Sequence, residues 1–204
     1  MKIICIGRNY VEHAKELNSP LPERPVFFLK PETSLLLNNR PLVMPGFTKE
    51  LHYETELVLK ICKKGKSIPE EKAGKYFKEI GLGFDFTARD LQQRCKEKGL
   101  PWEISKAFDH SSPISGEFIP FRKLKDPNGI RFQLKVNGKV VQDGNSTDMI
   151  FSFEQVISYV SQFITLQPGD LLFTGTPAGV GPVKPGDKLE GFLEGKKMLT
   201  CSIK

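Results

Sequence analysis

The sequence has few of the residues on which disulfide scaffolds and zinc proteins depend. It contains 204 residues but only 4 cysteines, 3 histidines and 1 tryptophan. The cysteines, at positions 5, 62, 95 and 201, form no CxxC pair, and such wide spacings do not indicate a zinc site. We therefore expect free thiols in a reducing compartment. A chain of this length buries enough surface to fold without cross-links.

Long apolar runs and clustered charges are also missing. No segment approaches the ~20 apolar residues of a transmembrane helix, and the apolar start ends at Gly7, too early for a signal peptide. The 30 basic residues outnumber the 24 acidic ones but are scattered, so no basic helix face indicates nucleic-acid binding. We expect a soluble cytoplasmic protein with no nucleic-acid or membrane partner. Its net charge of +6 indicates a plain basic surface or, as the alternative, attraction for small anionic substrates.

Short strand patterns dominate what is present. Strands and a few helices follow one another without regular alternation, which indicates an α+β, mainly β fold and argues against a doubly wound sheet. The chain shows no linker, so we expect one domain over residues 1–204. Local patterns predict a strand over 51–61, a helix over 88–98 begun by a capping box at Thr87, and an irregular or strand-like segment over 102–108.

Two glutamates stand out within the predicted strand at 51–61. Strand side chains alternate between two faces, so Glu54 and Glu56 point the same way with Cα atoms about 6.5–7 Å apart. Like charges this close repel, and glutamate is a poor strand former. A hard divalent cation between the two carboxylates would remove the penalty. A metal site and a solvated polar face are both open interpretations of this pair.

Asp85 is a third candidate carboxylate, because it lies between Phe84 and Phe86 at the end of a strand pattern. A buried carboxylate needs a partner, which is either a metal or the backbone of a turn that it caps. If Asp85 joins Glu54 and Glu56, the ligands are all oxygen atoms, which favour Mg²⁺, Mn²⁺ or Ca²⁺ over zinc.

His13 and Glu16 are spaced as neighbours on a short helix. A carboxylate beside an imidazole fixes its tautomer and raises its basicity, as a base that activates water requires. The alternative is a solvated histidine in a polar run. This helix and the proline-rich loop after it, residues 8–25, form a candidate lid.

Four more residues and one glycine-rich segment are candidates for substrate contacts. Lys106 lies among aromatic residues, where it is either an oxyanion stabiliser or a lysine whose ammonium reaches solvent. Arg89 and Gln92 are one helical turn apart and suit a substrate carboxylate, or are simply solvated. Lys30, just before a proline, is ambiguous from its surroundings alone. The glycine-rich segment 174–182 lacks the Walker pattern, and its backbone N–H groups either hold a carboxylate or form a surface turn.

These segments together resemble the fumarylacetoacetate hydrolase family. The motifs that carry the resemblance occur in order along nearly the whole chain: GRNY (7–10), FLKP (28–31), LHYETEL (51–57), TARDLQ (87–92), KGLPW (98–102), KVNG (135–138), MIFS (149–152) and TGTPAGVGP (174–182). Within the family the chain is most similar to single-domain acylpyruvate hydrolases, which are also associated with oxaloacetate decarboxylation and tautomerisation. We expect no extra N-terminal domain of the kind that larger members carry, which weakens the case for fumarylacetoacetate as substrate.

The resemblance implies a mixed β-sandwich roll, a homodimer and a small 2-oxo acid as substrate. It implies Mg²⁺ or Mn²⁺ bound by Glu54, Glu56 and Asp85. It makes His13 and Glu16 the water-activating pair on a closing lid, and it places the remaining polar candidates around the substrate: Lys106, Arg89, Gln92, Thr176 and Lys30.

The implied activity is cleavage of the C–C bond of acylpyruvates (2,4-dioxo acids) to pyruvate and a carboxylic acid. The alternatives are oxaloacetate decarboxylation or tautomerisation, or isomerisation and decarboxylation of unsaturated 2-hydroxy diacids in aromatic catabolism. A non-catalytic binder of anions or nucleic acid is favoured only by the net charge.

Overall fold

The computed structural model describes residues 1–17 and 19–204, and its secondary structure is mainly β, as predicted. Asn18, inside the predicted lid at 8–25, lies outside the described residues. The helices are α1 (Val11–Glu16), α2 (Glu70–Ala73), α3 (Arg89–Lys98), α4 (Glu103–Lys106) and α5 (Phe153–Phe163). Among the described residues, no helix has the length and apolar character needed to cross a membrane.

The strands are short and follow one another closely along the chain. They are β1 (Ile3–Gly7), β2 (Val26–Lys30), β3 (Leu35–Leu36), β4 (Leu51–Tyr53), β5 (Thr55–Ile61), β6 (Phe77–Phe84), β7 (Thr87–Ala88), β8 (Ser112–Pro113), β9 (Ile119–Pro120), β10 (Arg131–Val136), β11 (Lys139–Asn145), β12 (Leu171–Phe173), β13 (Gly181–Pro182), β14 (Lys188–Leu193) and β15 (Lys196–Ser202).

The largest sheet brings distant parts of the chain to a common edge. Its order is β2-β1-β12-β5-β6-β9, in which β1 and β12 are parallel and the other neighbours are antiparallel. The carboxyl ends of β1, β12 and β6 therefore lie at the same edge as the amino end of β5. Residues that follow or precede these ends, such as Arg8, Glu54, Asp85 and Thr174, are placed near one another by this topology.

A second, antiparallel sheet packs across the first. Its order is β11-β10-β14-β15. The backbone of Gly191 in β14 approaches Leu82 in β6 so closely that a Cβ atom would overlap the leucine side chain. Helix α5 closes the same apolar core with buried Phe153, Val156 and Val160. Each large apolar side chain buried in this way contributes roughly 1.5–3 kcal/mol to folding.

Three local predictions need correction. The strand predicted over 51–61 breaks at Glu54, because β4 pairs with β7 and β13 in a separate three-stranded sheet while β5 joins the large one. The capping box at Thr87 is wrong, since Ala88 is the N-cap residue without a side-chain cap. Asp90, the other half of that box, instead accepts a hydrogen bond from Thr48 Oγ1 at 2.6 Å. The segment 102–108 contains helix α4 rather than a strand.

Candidate active site

Three carboxylates meet at the common edge of the large sheet. Glu54 lies between β4 and β5, Glu56 is the second residue of β5, and Asp85 directly follows β6. All three are buried, with exposed fractions of 5%, 2% and 1%. One oxygen atom from each lies within 4.8 Å of the others. The Asp85 backbone N–H donates to the Glu54 carbonyl at 2.7 Å and fixes the spacing of the two residues.

The electrostatics of this triad fit a divalent cation. Burial, followed by the charges of Asp85 and Glu54, raises the pKa of Glu56 well above its ordinary value. Asp85 Oδ1 accepts no hydrogen bond from any described residue, although Lys30 Nζ lies 2.5 Å away. The cluster offers only carboxylate oxygens, the ligands that Mg²⁺ and Mn²⁺ prefer. The residues present therefore suit such an ion.

Three buried or partly buried cations surround the triad. Lys106 Nζ donates to Glu54 Oε2 at 2.7 Å and to Asp85 Oδ2 at 2.8 Å, and Arg89 Nη2 donates to Glu54 Oε1 at 2.6 Å. Burial raises the pKa of Glu54, but the charges of Lys106 and Arg89 outweigh burial and hold that pKa below its ordinary value. Burial lowers the pKa of Lys106, yet Asp85 and Glu54 reverse the effect, so the lysine stays charged.

Lys30 is the third cation, and it lies on the side of Asp85 away from the cavity. Its side chain is completely buried, contacts Asp85 and donates to Ser111 Oγ at 3.1 Å and Ser112 Oγ at 3.0 Å. It is not among the residues that line the cavity beside the triad. We predicted a substrate-binding role for Lys30, and the structure places it in contact with Asp85 and outside the residues that line the cavity.

A histidine–carboxylate pair faces the triad from helix α1. Buried His13 lies with Nδ1 3.1 Å from Glu16 Oε2. A carboxylate at this nitrogen favours the tautomer with Nδ1 protonated, which leaves Nε2 as a proton acceptor. The Gly179 N–H donates to Glu16 Oε1 at 3.1 Å, so Glu16 joins helix α1 to the glycine-rich segment. Burial raises the pKa of Glu16, but the hydrogen bonds from His13 and Gly179 prevail and lower it.

The link made by Glu16 should depend on pH. Because its pKa in the folded protein lies below the ordinary value of 4.5, the carboxylate stabilises the fold above that pH. The stabilisation is lost as pH falls through the folded pKa. Urea unfolding should find wild type more stable than Glu16→Gln at neutral pH, with the difference disappearing in acid. Glu12→Gln, at an exposed residue of the same helix, is the control. A difference that stays constant with pH would contradict the assignment.

The glycine-rich segment is held against the triad by backbone and side-chain contacts. Gly175 N–H donates to Glu56 Oε2 at 2.7 Å, and its φ of +100° is a conformation that favours glycine. Thr176 Oγ1 donates to the Thr55 carbonyl at 2.9 Å. Gln142 Nε2 in turn donates to Thr176 Oγ1 at 2.9 Å, while Gln142 Oε1 accepts from Thr55 N–H at 3.0 Å. Gln142 thus joins strand β5, which carries Glu56, to this segment.

Most of the predicted site residues line one cavity. It is lined by eight of the ten: His13, Glu54, Glu56, Asp85, Arg89, Gln92, Lys106 and Thr176. Glu16 reaches the cavity only through His13, and Lys30 lies behind Asp85. Arg89 Nη1 donates to Gln92 Oε1 at 2.7 Å, which fixes both side chains at the wall.

Sequence reasoning missed several residues of this cavity. Arg8, Phe28, Lys96 and Trp102 also line it. The signal for Lys96 was present, because it continues the helical spacing of Arg89 and Gln92 along α3. Gln142 could not have been found from a pattern, since it acts through contacts made far along the chain.

The rolled β fold is that of a known enzyme class. The chain belongs to the fumarylacetoacetate hydrolase family, because residues 2–204 match the family model described as "Fumarylacetoacetate (FAA) hydrolase C-terminal". The predicted family and fold are therefore confirmed, and the chain is an enzyme of this family.

The named relatives act on small 2-oxo acids. The chain is 46% identical over 202 residues, 99% of its length and 91% of the relative's, to "Oxaloacetate tautomerase FAHD1, mitochondrial" of Mus musculus. It is 45% identical over 195 residues, 95% of its length and 89% of the relative's, to "Oxaloacetate decarboxylase, mitochondrial" of Dictyostelium discoideum.

One similar solved structure contains Mn²⁺ and pyruvate. The crystal structure of fumarylpyruvate hydrolase from Pseudomonas aeruginosa in complex with Mn²⁺ and pyruvate has a TM-score of 0.93 with this chain at 40% sequence identity. The match covers 100% of this chain and 89% of that one.

Proposed function

We propose that this protein is a divalent-metal-dependent hydrolase that cleaves the C–C bond of acylpyruvates to give pyruvate and a carboxylic acid. The observation that carries the proposal is the His13–Glu16 pair on the same cavity as the carboxylate triad. A base that activates water is needed for hydrolysis, whereas loss of CO₂ from a 2-oxo acid does not require one. The Mn²⁺ and pyruvate in the related hydrolase structure agree with this assignment.

Glu54, Glu56 and Asp85 would hold the ion. Bound there, Mg²⁺ or Mn²⁺ supplies the Lewis acidity that polarises a 2-oxo acid. Arg89, Gln92 and the segment at Thr176 orient the substrate beside the triad. His13 Nε2, with Glu16 at its other nitrogen, takes a proton from water as the oxygen attacks the 4-carbonyl carbon. Lys106 stabilises the negative charge that develops.

The products follow from the bonds that change. The C3–C4 bond breaks, and its electron pair stays with C3, which then takes up a proton and becomes the methyl group of pyruvate. C4 keeps the oxygen from water and leaves as the carboxylic acid. One water is consumed, and no oxidant or reductant is needed.

Oxaloacetate is the second candidate substrate, and the two named mitochondrial relatives favour it. Tautomerisation moves a proton at C3, and decarboxylation leaves the same enolate that acylpyruvate cleavage produces. Both reactions use the triad and Lys106, so the cavity suits either. The homodimer, the single domain over residues 1–204 and the cytoplasmic location stay predictions.

The test is a substrate panel with and without metal. Acetylpyruvate, fumarylpyruvate, oxaloacetate and an unsaturated 2-hydroxy diacid would each be assayed with Mg²⁺ or Mn²⁺ and again after EDTA treatment. We expect acylpyruvate cleavage that EDTA abolishes and added metal restores. Turnover of oxaloacetate alone would favour the second candidate. No turnover of any compound, together with salt-sensitive RNA retention on filters, would indicate a non-catalytic binder.

A further inference from the structure

Two cations of the cavity have no role in the proposed chemistry. Arg8 follows β1, Lys96 lies on α3, and both are partly exposed and line the same cavity as the triad. Lys30, Arg89 and Lys106 are each paired with a carboxylate of the triad. Within residues 1–17 and 19–204, neither Arg8 nor Lys96 forms an ion pair.

The position of Lys96 on helix α3 sets its separation from Arg89 along the helix axis. Arg89, Gln92 and Lys96 are spaced by three and four residues, so they form one stripe on α3. With a rise of 1.5 Å per residue, Lys96 lies about 6 Å beyond Gln92 and about 10 Å beyond Arg89 along the axis. Arg89 contacts the triad through Glu54, and Lys96 lines the same cavity farther along the helix than Arg89.

Arg8 brings a second positive charge to the same region. Burial, then Arg89, then Arg8 lower the pKa of Lys96, so the two unpaired cations are close enough to repel. Arg8 has a φ of 58°, a left-handed conformation that is uncommon outside glycine and turns the chain between β1 and α1. Two like charges on one cavity wall indicate a site where a bound anion would offset their repulsion.

Part of the cavity wall is apolar. Phe28 and Trp102 pack edge to face with ring centroids 5.9 Å apart, and both line the cavity. The cavity therefore combines the carboxylate triad, an apolar wall, and two cations that form no ion pair among the described residues. This combination matches a molecule with a 2-oxo acid group, a short carbon chain and a second negative group.

We propose that Arg8 and Lys96 bind the distal carboxylate of a dicarboxylic 2-oxo acid whose 2-oxo acid group lies at the triad. The inference deepens the proposed function and rests on it. It makes dicarboxylic substrates, such as acylpyruvates with a carboxylate at the end of the acyl chain, preferred over acylpyruvates with a neutral tail.

Binding of two inert probes tests the subsite without turnover. 2-Oxoglutarate has a distal carboxylate but no 1,3-dicarbonyl group to cleave, and pyruvate has only the 2-oxo acid group. Calorimetry on the Mg²⁺-loaded protein should show 2-oxoglutarate binding at least about tenfold more tightly than pyruvate, the effect expected of a charged hydrogen bond. Arg8→Met combined with Lys96→Met should abolish this preference. Lys98→Met, at an exposed lysine of the same helix, should retain it.

Steady-state kinetics test the same subsite through the KM values of dicarboxylic and neutral-tailed substrates. In the double variant, the KM for fumarylpyruvate or oxaloacetate should rise at least about tenfold more than the KM for acetylpyruvate. A variant with Arg8→Met and Lys96→Arg keeps a positive charge at position 96, so it should recover most of the affinity that the double variant loses. A preference for 2-oxoglutarate that survives both replacements would overturn the subsite, as would equal losses on acetylpyruvate and the dicarboxylates. A wild-type protein that binds neither pyruvate nor 2-oxoglutarate would overturn the proposed function, and the subsite with it.

Discussion

Replacing Glu56 with glutamine should stabilise the metal-free protein and at the same time remove its Mg²⁺ binding. Glu56 is 2% exposed and lies within 4.8 Å of two other carboxylates, so its charge opposes folding. Glutamine keeps an oxygen for the Gly175 N–H but carries no charge. A gain of about 1 kcal/mol would raise Tm by about 2–4 °C for a chain of this size.

The loss of function should be much larger than the gain in stability. Removing one ligand should weaken Mg²⁺ binding by more than about 100-fold, because even residues that only support a ligand cost 10–100-fold. All turnover of 2-oxo acids should disappear with the metal. Thermal unfolding and calorimetry of wild type and Glu56→Gln, each with and without Mg²⁺, measure both effects. Glu79→Gln, at a half-exposed glutamate of the neighbouring strand, is the matched control.

Retained Mg²⁺ affinity in Glu56→Gln would remove this residue from the ligand set. A fall in the Tm of the metal-free protein would show that the three carboxylates do not repel one another in the folded state. Either result would change the account of the site, and the two can be obtained from the same preparation.

Replacing His13 with alanine should separate hydrolysis from decarboxylation. Acylpyruvate cleavage needs water activated by a base, and loss of a positioned general base typically lowers the rate by about 10²–10⁴-fold. Oxaloacetate loses CO₂ without attack by water, so much of that activity should survive. The measurement is kcat/KM for acetylpyruvate and for oxaloacetate decarboxylation in the same preparation.

The control is Lys15→Ala on the same helix. Lys15 is exposed and, among the described residues, forms an ion pair only with Glu12 at 2.7 Å, so its loss should affect neither reaction. Equal losses of both activities in His13→Ala would refute the role of His13 as the base for hydrolysis. Loss in both variants would instead indicate damage to helix α1.

The carboxylate triad could be anticipated because its signals are local. Alternation along a strand placed Glu54 and Glu56 on one face, and both reach the cavity even though the strand breaks at Glu54. Asp85 was marked by its two phenylalanine neighbours. The break itself was not predictable, because it arises where the chain passes from one sheet to another.

Other parts of the site depend on contacts between distant segments. Lys30 contacts Asp85, and Gln142 contacts Thr176 and Thr55, across separations that no local pattern encodes. The resemblance to the family placed Lys30 near the substrate, whereas only the packing around Ser111 and Ser112 shows it to be buried behind Asp85. Side chains that act by contacting residues distant in sequence form no local pattern, so a single sequence does not predict their roles.

The parallel pairing of β1 with β12 has a consequence for how the protein is made. Strand β12, residues 171–173, lies between β1 and β5 in the large sheet. Until the ribosome has released this late segment, the antiparallel pairs β1–β2 and β5–β6 have open strand edges. Such edges are prone to pair with other chains. The nascent polypeptide therefore carries all three carboxylates of the triad before it can complete the sheet, and its strand edges are most exposed to incorrect pairing during that interval.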